Sequence, residues 1–207
     1  MSENDQVESM YEGYFLQENP IYRCYMDLKN IATDKELEYM AHQGNPVAKT
    51  YAGKIIFLRK SKSLQELFTF FLKNNEQVAI LEGCIGSDSF LADELYKLAF
   101  REKIEIDRTK WKYQRNDSII KAGGKTDKIV FPENNKTLWT ETEIDSLLVG
   151  FEQAVLNNLS SSKTLVELLA ENNFYSEIKR PYYQKLIYFE ERYHSEMIEQ
   201  YIDFCSK

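Results

Sequence analysis

Residues 33–58, TDKELEYMAHQGNPVAKTYAGKIIFL, contain the signals that decide the fold class. Thr33 and Glu36 form a capping box, in which the two side chains satisfy free N–H groups at a helix start. Asn45 and Pro46 then restart the chain, because Asn is a favoured N-cap and Pro fits the first helical turn. An apolar stripe with helical spacing follows, formed by Val47, Tyr51, Ile55 and Leu58. The stretch therefore predicts two short amphipathic helices joined by a polar turn.

Helix-start signals of the same kind recur along the chain. Capping boxes begin at Ser63 and Thr140, and residues 87–89 and 161–162 offer further serine or aspartate caps. The segment after Pro181 places apolar and aromatic side chains along one side for about five turns. These are Tyr182, Leu186, Phe189, Tyr193, Met197 and Tyr201. We therefore predict an all-α fold of eight or nine helices, a short α-solenoid of stacked antiparallel helix pairs with a helical C-terminal cap.

Residues 101–139 differ from the rest of the chain. Gly123 and Gly124 interrupt them, and charged and apolar residues alternate over residues 103–106. These features predict an irregular insertion or a β-hairpin. Between Arg101 and Lys128, nine Lys and Arg stand against five Asp and Glu, so this segment carries +4 and the remainder −11. Such charge segregation can steer a binding partner.

An internal repeat emerges when the chain is shifted by 31 residues. The shift aligns Leu37 with Phe68, Met40 with Phe71, Val47 with Val78, and Ala48 with Ala79. Each copy predicts a helix, a polar turn and a second helix. A single helix pair cannot bury its apolar face alone, so neighbouring pairs are expected to stack into a continuous core.

The repeat resembles HEAT-like α-solenoid repeats over residues 33–100. Residues 45–52, NPVAKTYA, resemble the start of the second helix of such a repeat, and residues 75–79, NEQVA, resemble a second start without the basic residue. The stretch also resembles one Sel1-type tetratricopeptide repeat, although those repeats are longer than this interval. That second resemblance rests on Ala41, Gly44, Ala48, Gly53 and Phe57. Both imply stacked helix pairs that serve mainly as protein-binding scaffolds, although a fold does not determine a function.

Composition excludes several classes of protein. The 207 residues carry 26 Lys and Arg against 33 Asp and Glu, and the net charge of −7 disfavours a generally basic nucleic-acid binder. The aromatic content of 14% is too high for a chain that is mainly disordered. The acidic N-terminus lacks the basic start of a secretory signal, and no apolar run reaches the roughly 18–20 residues that span a bilayer. We therefore expect a cytoplasmic protein without a membrane segment.

Potential metal ligands and nucleophiles are few. Cys24, Cys84 and Cys205 are widely spaced and form no CxxC pair, so neither a disulfide framework nor a zinc site is predicted. His42 and His194 are the two histidines, which limits acid–base and nucleophilic mechanisms that depend on imidazole.

Three short motifs resemble known sites, but each lacks a required part. Glu191 and His194 form one E-x-x-H, whereas a di-iron bundle needs two. Cys84 follows a glycine, but Glu82 stands where a nucleophile elbow requires Gly. Residues 123–126, GGKT, lack the first glycine of a phosphate-binding loop. We therefore assign no catalytic, metal-binding or cofactor-binding residue, and we expect no cofactor.

A basic aromatic segment provides the candidate partner-binding residues, which are Lys110, Trp111, Lys112, Tyr113 and Arg115. Trp, Tyr and Arg are the residue types most often found at the energetic centre of protein interfaces. The same alternation can stack on the bases of single-stranded nucleic acid. A third interpretation is an amphipathic strand or helix with Trp111 packed inward.

We divide the chain into N-terminal HEAT-like repeats (residues 1–100), a basic irregular insertion (101–139) and a C-terminal helical segment on the same domain (140–207). The predicted function is a non-catalytic protein–protein interaction module, monomeric or homodimeric, of the kind found in bacterial immunity proteins and antitoxins that sequester one partner. The alternatives are a small enzyme with a carboxylate-based site and a single-stranded nucleic-acid binder that uses residues 108–128.

Overall fold

The computed structural model describes residues 6–12, 17–83, 85–124, 138–174 and 180–206. These residues form nine helices and a four-stranded sheet, so the prediction of a mainly helical chain is confirmed, whereas the sheet was not predicted. The helices are α1 (Pro20–Ile31), α2 (Asp34–Gln43), α3 (Pro46–Leu58), α4 (Leu64–Asn74), α5 (Leu91–Lys121), α6 (Glu141–Asn157), α7 (Lys163–Asn173), α8 (Arg180–Tyr193) and α9 (Glu196–Cys205). The strands are β1 (Gln6–Glu12), β2 (Gln17–Glu18), β3 (Gln77–Gly83) and β4 (Ile85–Phe90).

The sheet has the order β2-β1-β3-β4, and its central strands β1 and β3 are parallel. Helices α1 to α4 lie between them in sequence, because parallel strands require a long crossover connection. Val7 of β1 pairs with Ile80 of β3, and both side chains are buried. Strand β1 therefore contributes Val7 to the core of the protein.

Strand β3 replaces a helix that the repeat predicted. The second copy of the 31-residue repeat was expected to begin a helix near Val78, and this expectation is wrong. Val78 and Ile80 are buried while Ala79 and Leu81 are partly exposed, which is the two-residue period of a strand. A short apolar run cannot be assigned to helix or strand by periodicity alone, and here β1 and β4 supply hydrogen-bonding neighbours on both sides. The first copy does form a helix pair, α2 and α3.

Helix α5 is 31 residues long and runs through the position where an irregular or β-hairpin insertion was predicted. That prediction is wrong for residues 101–121, and residues 125–137 lie outside the described part of the chain. No Gly or Pro occurs from Ser87 to Ala122, and ion pairs at helical spacing join Lys103 to Asp107 and Glu105 to Arg108.

Helix α5 ends at a glycine in the left-handed conformation. Gly123 has φ +77°, and the N–H groups of Gly123 and Gly124 donate to the carbonyls of Ile120 and Ile119. This hydrogen-bond pattern is the Schellman motif, in which a glycine without a Cβ closes a helix. The two glycines that were expected to form a hairpin turn therefore act as a helix stop.

The C-terminal helices pack against α5 and α4. The rings of Phe68 in α4 and Phe151 in α6 stack with their centroids 3.9 Å apart, next to the buried ring of Tyr96 in α5. The aromatic stripe expected along one continuous C-terminal helix is divided between α8 and α9, because His194 has φ +47° and ends α8. The buried side chains of both halves of the chain belong to one core.

The predicted helix caps form in part. The capping boxes of Thr33 with Glu36 and of Thr140 with Glu143 are present, and Ser162 caps α7. The capping box predicted at Ser63 is absent, because the Ser63 hydroxyl bonds to Ser61 instead. The cap predicted within residues 87–89 is also wrong, because these residues belong to β4 and α5 starts after Phe90.

Candidate functional site

The final part of α5, residues 108–121, is the candidate site, and we call it the α5 arm. Helix α6 runs antiparallel to α5, since Lys103 pairs with Asp145 at 2.9 Å and Lys110 pairs with Glu141 at 2.8 Å. Glu141 is the first residue of α6, so the arm extends beyond the start of its neighbour. At 1.5 Å per residue, the arm is about 20 Å long.

An apolar stripe of one residue in seven continues from the buried part of α5 onto the arm, and the positions between its members on this face, 109, 110, 116 and 117, are polar. Ile106, Tyr113 and Ile120 are spaced by seven residues, which keeps them close to one face of the helix. Ile106 is 9% exposed, whereas Tyr113 and Ile120 are 56% and 58% exposed. Tyr113 and Ile120 therefore continue this face of the helix beyond the part of α5 that is buried.

The arm presents a second aromatic group on its other side. The Trp111 side chain is 55% exposed, and the centre of the Arg115 guanidinium lies 5.1 Å from the centroid of its ring. Residues four apart share a helix face, so this cation–π pair is built by the helix itself. Tyr113 lies about 200° around the helix from Trp111, at 100° per residue, so both sides of the arm carry aromatic surface.

The structure places the five predicted partner-binding residues on this arm. Trp111 and Arg115 form the cation–π face, and Tyr113 belongs to the apolar stripe. Lys110 points to the body of the protein, where its hydrogen bond lowers the pKa of the Glu141 carboxyl. Lys112 is half-buried. The inward packing of Trp111 that was one alternative is wrong.

The three incomplete motifs do not assemble into a site. His194 is exposed at the end of α8, and its Nδ1 lies 4.0 Å from Glu190 rather than beside Glu191. Gly123 and Gly124 end α5, and Cys84, Lys125 and Thr126 lie outside the described residues. Within the described ranges, no three His, Cys, Asp or Glu side chains converge as metal ligands.

The structure also reveals a cavity of about 280 Å³ that the sequence did not indicate, and we call it the tyrosine cavity. It is lined by Tyr22 and Tyr25 of α1, by Tyr51 and Lys54 of α3, and by residues of β1, β3 and α5. The ring centroids of Tyr22 and Tyr25 are 5.4 Å apart, and those of Tyr25 and Tyr51 are 5.2 Å apart. No sequence motif links these residues, because elements that are far apart in the sequence bring them together.

Burial shifts the pKa values of three side chains that line the tyrosine cavity. It raises the pKa of Tyr25 to about 12, with smaller contributions from Tyr22 and Tyr51, and it also raises the pKa of Tyr51. Burial lowers the pKa of Lys54, although the carboxylates of Glu94 and Glu82 act in the opposite direction. Burial thus disfavours the charged forms of Tyr25, Tyr51 and Lys54, which raises the pKa of the two tyrosines and lowers that of the lysine.

A buried carboxylate outside both sites also has a displaced pKa. Asp93 of α5 is 2% exposed and accepts a hydrogen bond of 2.8 Å from Ser162, the N-cap of α7. Burial raises its pKa to about 6, against the opposing effects of Ser162 and Lys97. Its contacts join α5 to the start of α7, which gives Asp93 a structural role.

No family model, curated protein or solved structure matches the chain with significance. Among the helices that the structure describes, none has both the length and the apolar composition needed to cross a bilayer.

Proposed function

We propose that this chain is a cytoplasmic, non-catalytic protein-binding module that contacts its partner through the α5 arm. The observation that carries the proposal is the apolar stripe, which is buried at Ile106 but more than half exposed at Tyr113 and Ile120. Contiguous exposed apolar patches mark interaction sites, and we propose that Tyr113 and Ile120 contribute to one. A partner helix laid along the arm would extend the packing that α6 begins.

The composition of the arm supports a protein partner. Trp111, Tyr113 and Arg115 belong to the types that dominate interface energetics, and all three are on one rigid helix. The resemblance of residues 33–100 to HEAT-like repeats points in the same direction, since such repeats are mainly protein-binding scaffolds. The α2–α3 helix pair supports this, and we further propose that the pair is HEAT-like and that further pairs stack into a solenoid.

A nucleic-acid partner fits the arm less well. Arg108 and Lys110 pair with Glu105 and Glu141, so two of the five cations of the arm are already neutralised. Binding to single-stranded nucleic acid depends on cations that contact phosphates. The exposed Ile120 would gain nothing from a phosphate backbone, but it would be buried by an apolar protein surface.

The narrower proposal is that the module sequesters one partner, as bacterial immunity proteins and antitoxins do. A stable complex of that kind buries about 1,200–2,000 Å² in total. The partner surface is expected to combine an apolar groove for the stripe with acidic residues for Arg115. The free protein would then be monomeric or homodimeric.

The test is affinity capture of the tagged protein from cells that express it, followed by mass spectrometry. The test variant is Trp111→Ala with Arg115→Ala. A matched control is Lys35→Ala with Tyr39→Ala, because these residues also form an exposed cation–aromatic combination four residues apart, on α2. Circular dichroism and urea unfolding verify that both variants keep the fold.

The expected result is one stoichiometric polypeptide that the wild type and the α2 control retain and that the arm variant loses. An identical set of captured proteins for the wild type and the folded arm variant would reject the arm as the contact surface. Nuclease treatment before elution separates the two partner classes, since a protein partner survives it and a nucleic-acid-bridged one does not.

A further inference from the structure

Lys54 of α3 lines the tyrosine cavity with an amine that lacks a hydrogen-bond acceptor. Among the described residues, no carbonyl, hydroxyl or carboxylate oxygen pairs with its Nζ, which lies 5.7 Å from the centroid of the Tyr51 ring. An ammonium that leaves water needs acceptors in its place, whereas a neutral amine loses much less on burial. This setting therefore favours the neutral amine of Lys54 more than water does.

The carboxylates around Lys54 are paired with other cations. Glu82 pairs with Arg101 at 3.3 Å, and Glu94 pairs with Lys97 at 2.8 Å. Both carboxylates still raise the pKa of Lys54 and Arg101 lowers it, but burial has the largest effect and the pKa is lowered on balance. Lys54 is thus an amine that loses its proton readily and that has carboxylates near it to stabilise a cationic product.

The same cavity restricts the charge of a ligand. The carboxylates of Glu8 in β1 and Glu82 in β3 line it together with Lys54. The Glu8 carboxylate accepts hydrogen bonds from the side chains of Asn19 and Gln6. An anion would meet the two carboxylates and a cation would meet the lysine, so an uncharged ligand suits this combination of charges.

The accessible wall and the volume define the size of the ligand. Tyr25 and Tyr51 are 7% and 1% exposed, with their ring centroids 5.2 Å apart, so neither ring offers a free face. The contacts that remain are the partly exposed side chains of Tyr22, Leu81 and Leu98. Small-molecule pockets usually have volumes of about 300–1,000 Å³, so a cavity of about 280 Å³ suits a ligand of a few carbon atoms.

We propose that Lys54 is a covalent binding site for a small aliphatic aldehyde, which forms a Schiff base with Nζ. The neutral amine attacks the carbonyl carbon, a C–N bond forms, and the carbonyl oxygen leaves as water with the two amine hydrogens. The imine then takes a proton from solvent, and Glu82 and Glu94 lie near enough to stabilise the resulting cation.

Lysines that are desolvated in pockets are activated toward carbonyl compounds in this way. The cavity and the α5 arm share no residue, so this proposal does not depend on the arm being an interface.

The test uses propanal as the probe and sodium cyanoborohydride to reduce the imine to a stable amine on the full chain. Peptide mass spectrometry then measures the labelling of each lysine. Lys73 of α4 is exposed and serves as the reference within the same sample. Glyoxylate supplies a carbonyl group with a negative charge, and guanidinium chloride supplies the unfolded chain. The variant is Lys54→Arg, which keeps the positive charge without a reactive amine, and thermal unfolding establishes that it is folded.

We expect Lys54 of the folded chain to be labelled about ten-fold faster than Lys73 at pH 7, because the neutral amine is the nucleophile. Its rate should level off as the propanal concentration rises, since binding precedes reaction, and the pH midpoint of labelling should lie below that of Lys73. In the unfolded chain the two lysines should react alike. Lys54→Arg should lose the saturable labelling and keep the labelling of Lys73.

Equal labelling of Lys54 and Lys73 in the folded chain would overturn the proposal. Faster labelling of Lys54 by glyoxylate than by propanal would overturn the assignment of an uncharged ligand.

Discussion

The carboxylate of Glu152 in α6 accepts a hydrogen bond of 3.0 Å from the hydroxyl of Tyr182 in α8. The side-chain amides of Asn172 and Asn173 in α7 donate to the same fully buried carboxylate, each at 2.7 Å, and Tyr96 of α5 approaches at 3.4 Å. One acidic side chain therefore connects four helices. Its charge and the burial of the ring both raise the pKa of Tyr96.

Replacing this carboxylate should be costly. We expect Glu152→Ala to lower the free energy of unfolding by about 3 kcal/mol, because several buried donors lose their acceptor at about 1–3 kcal/mol each. Tyr182→Phe removes one donor and should cost about 1 kcal/mol. Urea unfolding followed by circular dichroism measures both values. Similar losses for the two variants would show that Glu152 does not organise the cluster.

Two capping signals of the same pattern, Ser or Thr followed three residues later by Glu, should differ in their contribution to stability. Thr140→Ala removes a formed capping box at the start of α6 and should cost about 1 kcal/mol of unfolding free energy. Ser63→Ala should cost less than half of that, because the Ser63 side chain does not cap α4. Chemical denaturation of both variants under the same conditions measures the two unfolding free energies. A larger loss of unfolding free energy for Ser63→Ala than for Thr140→Ala would contradict the hydrogen bonds seen at the two helix starts.

The end of α5 provides a backbone test. Gly123→Ala forces a Cβ into φ +77°, so we expect a loss of about 1 kcal/mol although the surrounding space is open. Gly86→Ala in β4 also meets open space but has no left-handed backbone, and its unfolding free energy should change by less than about 0.5 kcal/mol. Urea unfolding measures both free energies. Equal losses for Gly123→Ala and Gly86→Ala would mean that the left-handed backbone conformation at Gly123 is not what makes glycine favourable there.

The raised pKa of Asp93 predicts that the stability of the protein depends on pH. The folded protein holds this proton up to about pH 6, whereas an unfolded aspartate releases it near 3.8. Stability contributed by the protonated form is therefore lost as the pH rises from about 4 to about 6. Asp93→Asn keeps an acceptor for Ser162 and should stabilise the protein by about 1–3 kcal/mol at pH 7.5, at 1.36 kcal/mol per pKa unit, but not at pH 4.

Urea midpoints at the two pH values measure this difference. The control is Asp117→Asn, which changes an exposed aspartate on the α5 arm and should leave the pH dependence as in the wild type. Equal stabilisation by Asp93→Asn at both pH values would show that proton binding at Asp93 is not the cause.

Ile106 and Ile120, which lie on the same face of α5, test how far along this helix the core packing extends. Ile106→Ala should lower the unfolding free energy by about 2–4 kcal/mol, because its side chain is 9% exposed. Ile120→Ala should change it by less than about 0.5 kcal/mol, since its side chain is 58% exposed. A large loss at Ile120 would mean that the arm is packed in the free protein, which would remove the main support for the arm as an interface.

The candidate sites differ in how far the sequence could predict them. The five residues of the basic aromatic segment could be predicted because three cations and two aromatic side chains are interleaved within residues 110–115. The solvent exposure of these residues could not be predicted from the sequence, since the exposure of Trp111 depends on where α6 begins. No local sequence pattern indicates the tyrosine cavity. Lys54 and Tyr25 are separated by 28 intervening residues, and they come together only when α1 packs on α3.

The sequence by itself determined some local elements: where α2 and α3 begin, and that the chain is mainly helical. Caps, left-handed stops and helical spacing act over a few residues, so they can be read from the chain. The long helix α5 was not predicted, because Gly123, Gly124 and the alternation over residues 103–106 were interpreted as signs of an irregular or β-hairpin insertion.

Tertiary structure alone decided the rest. Residues 78–81 are a strand because β1, more than sixty residues earlier, lies beside them and supplies hydrogen bonds that the chain does not encode locally. The same long-range packing buries Ile106, leaves Ile120 exposed and closes the cavity around Lys54. Burial and strand pairing depend on which distant segments meet, so the energies that place both candidate sites arise only in the assembled fold.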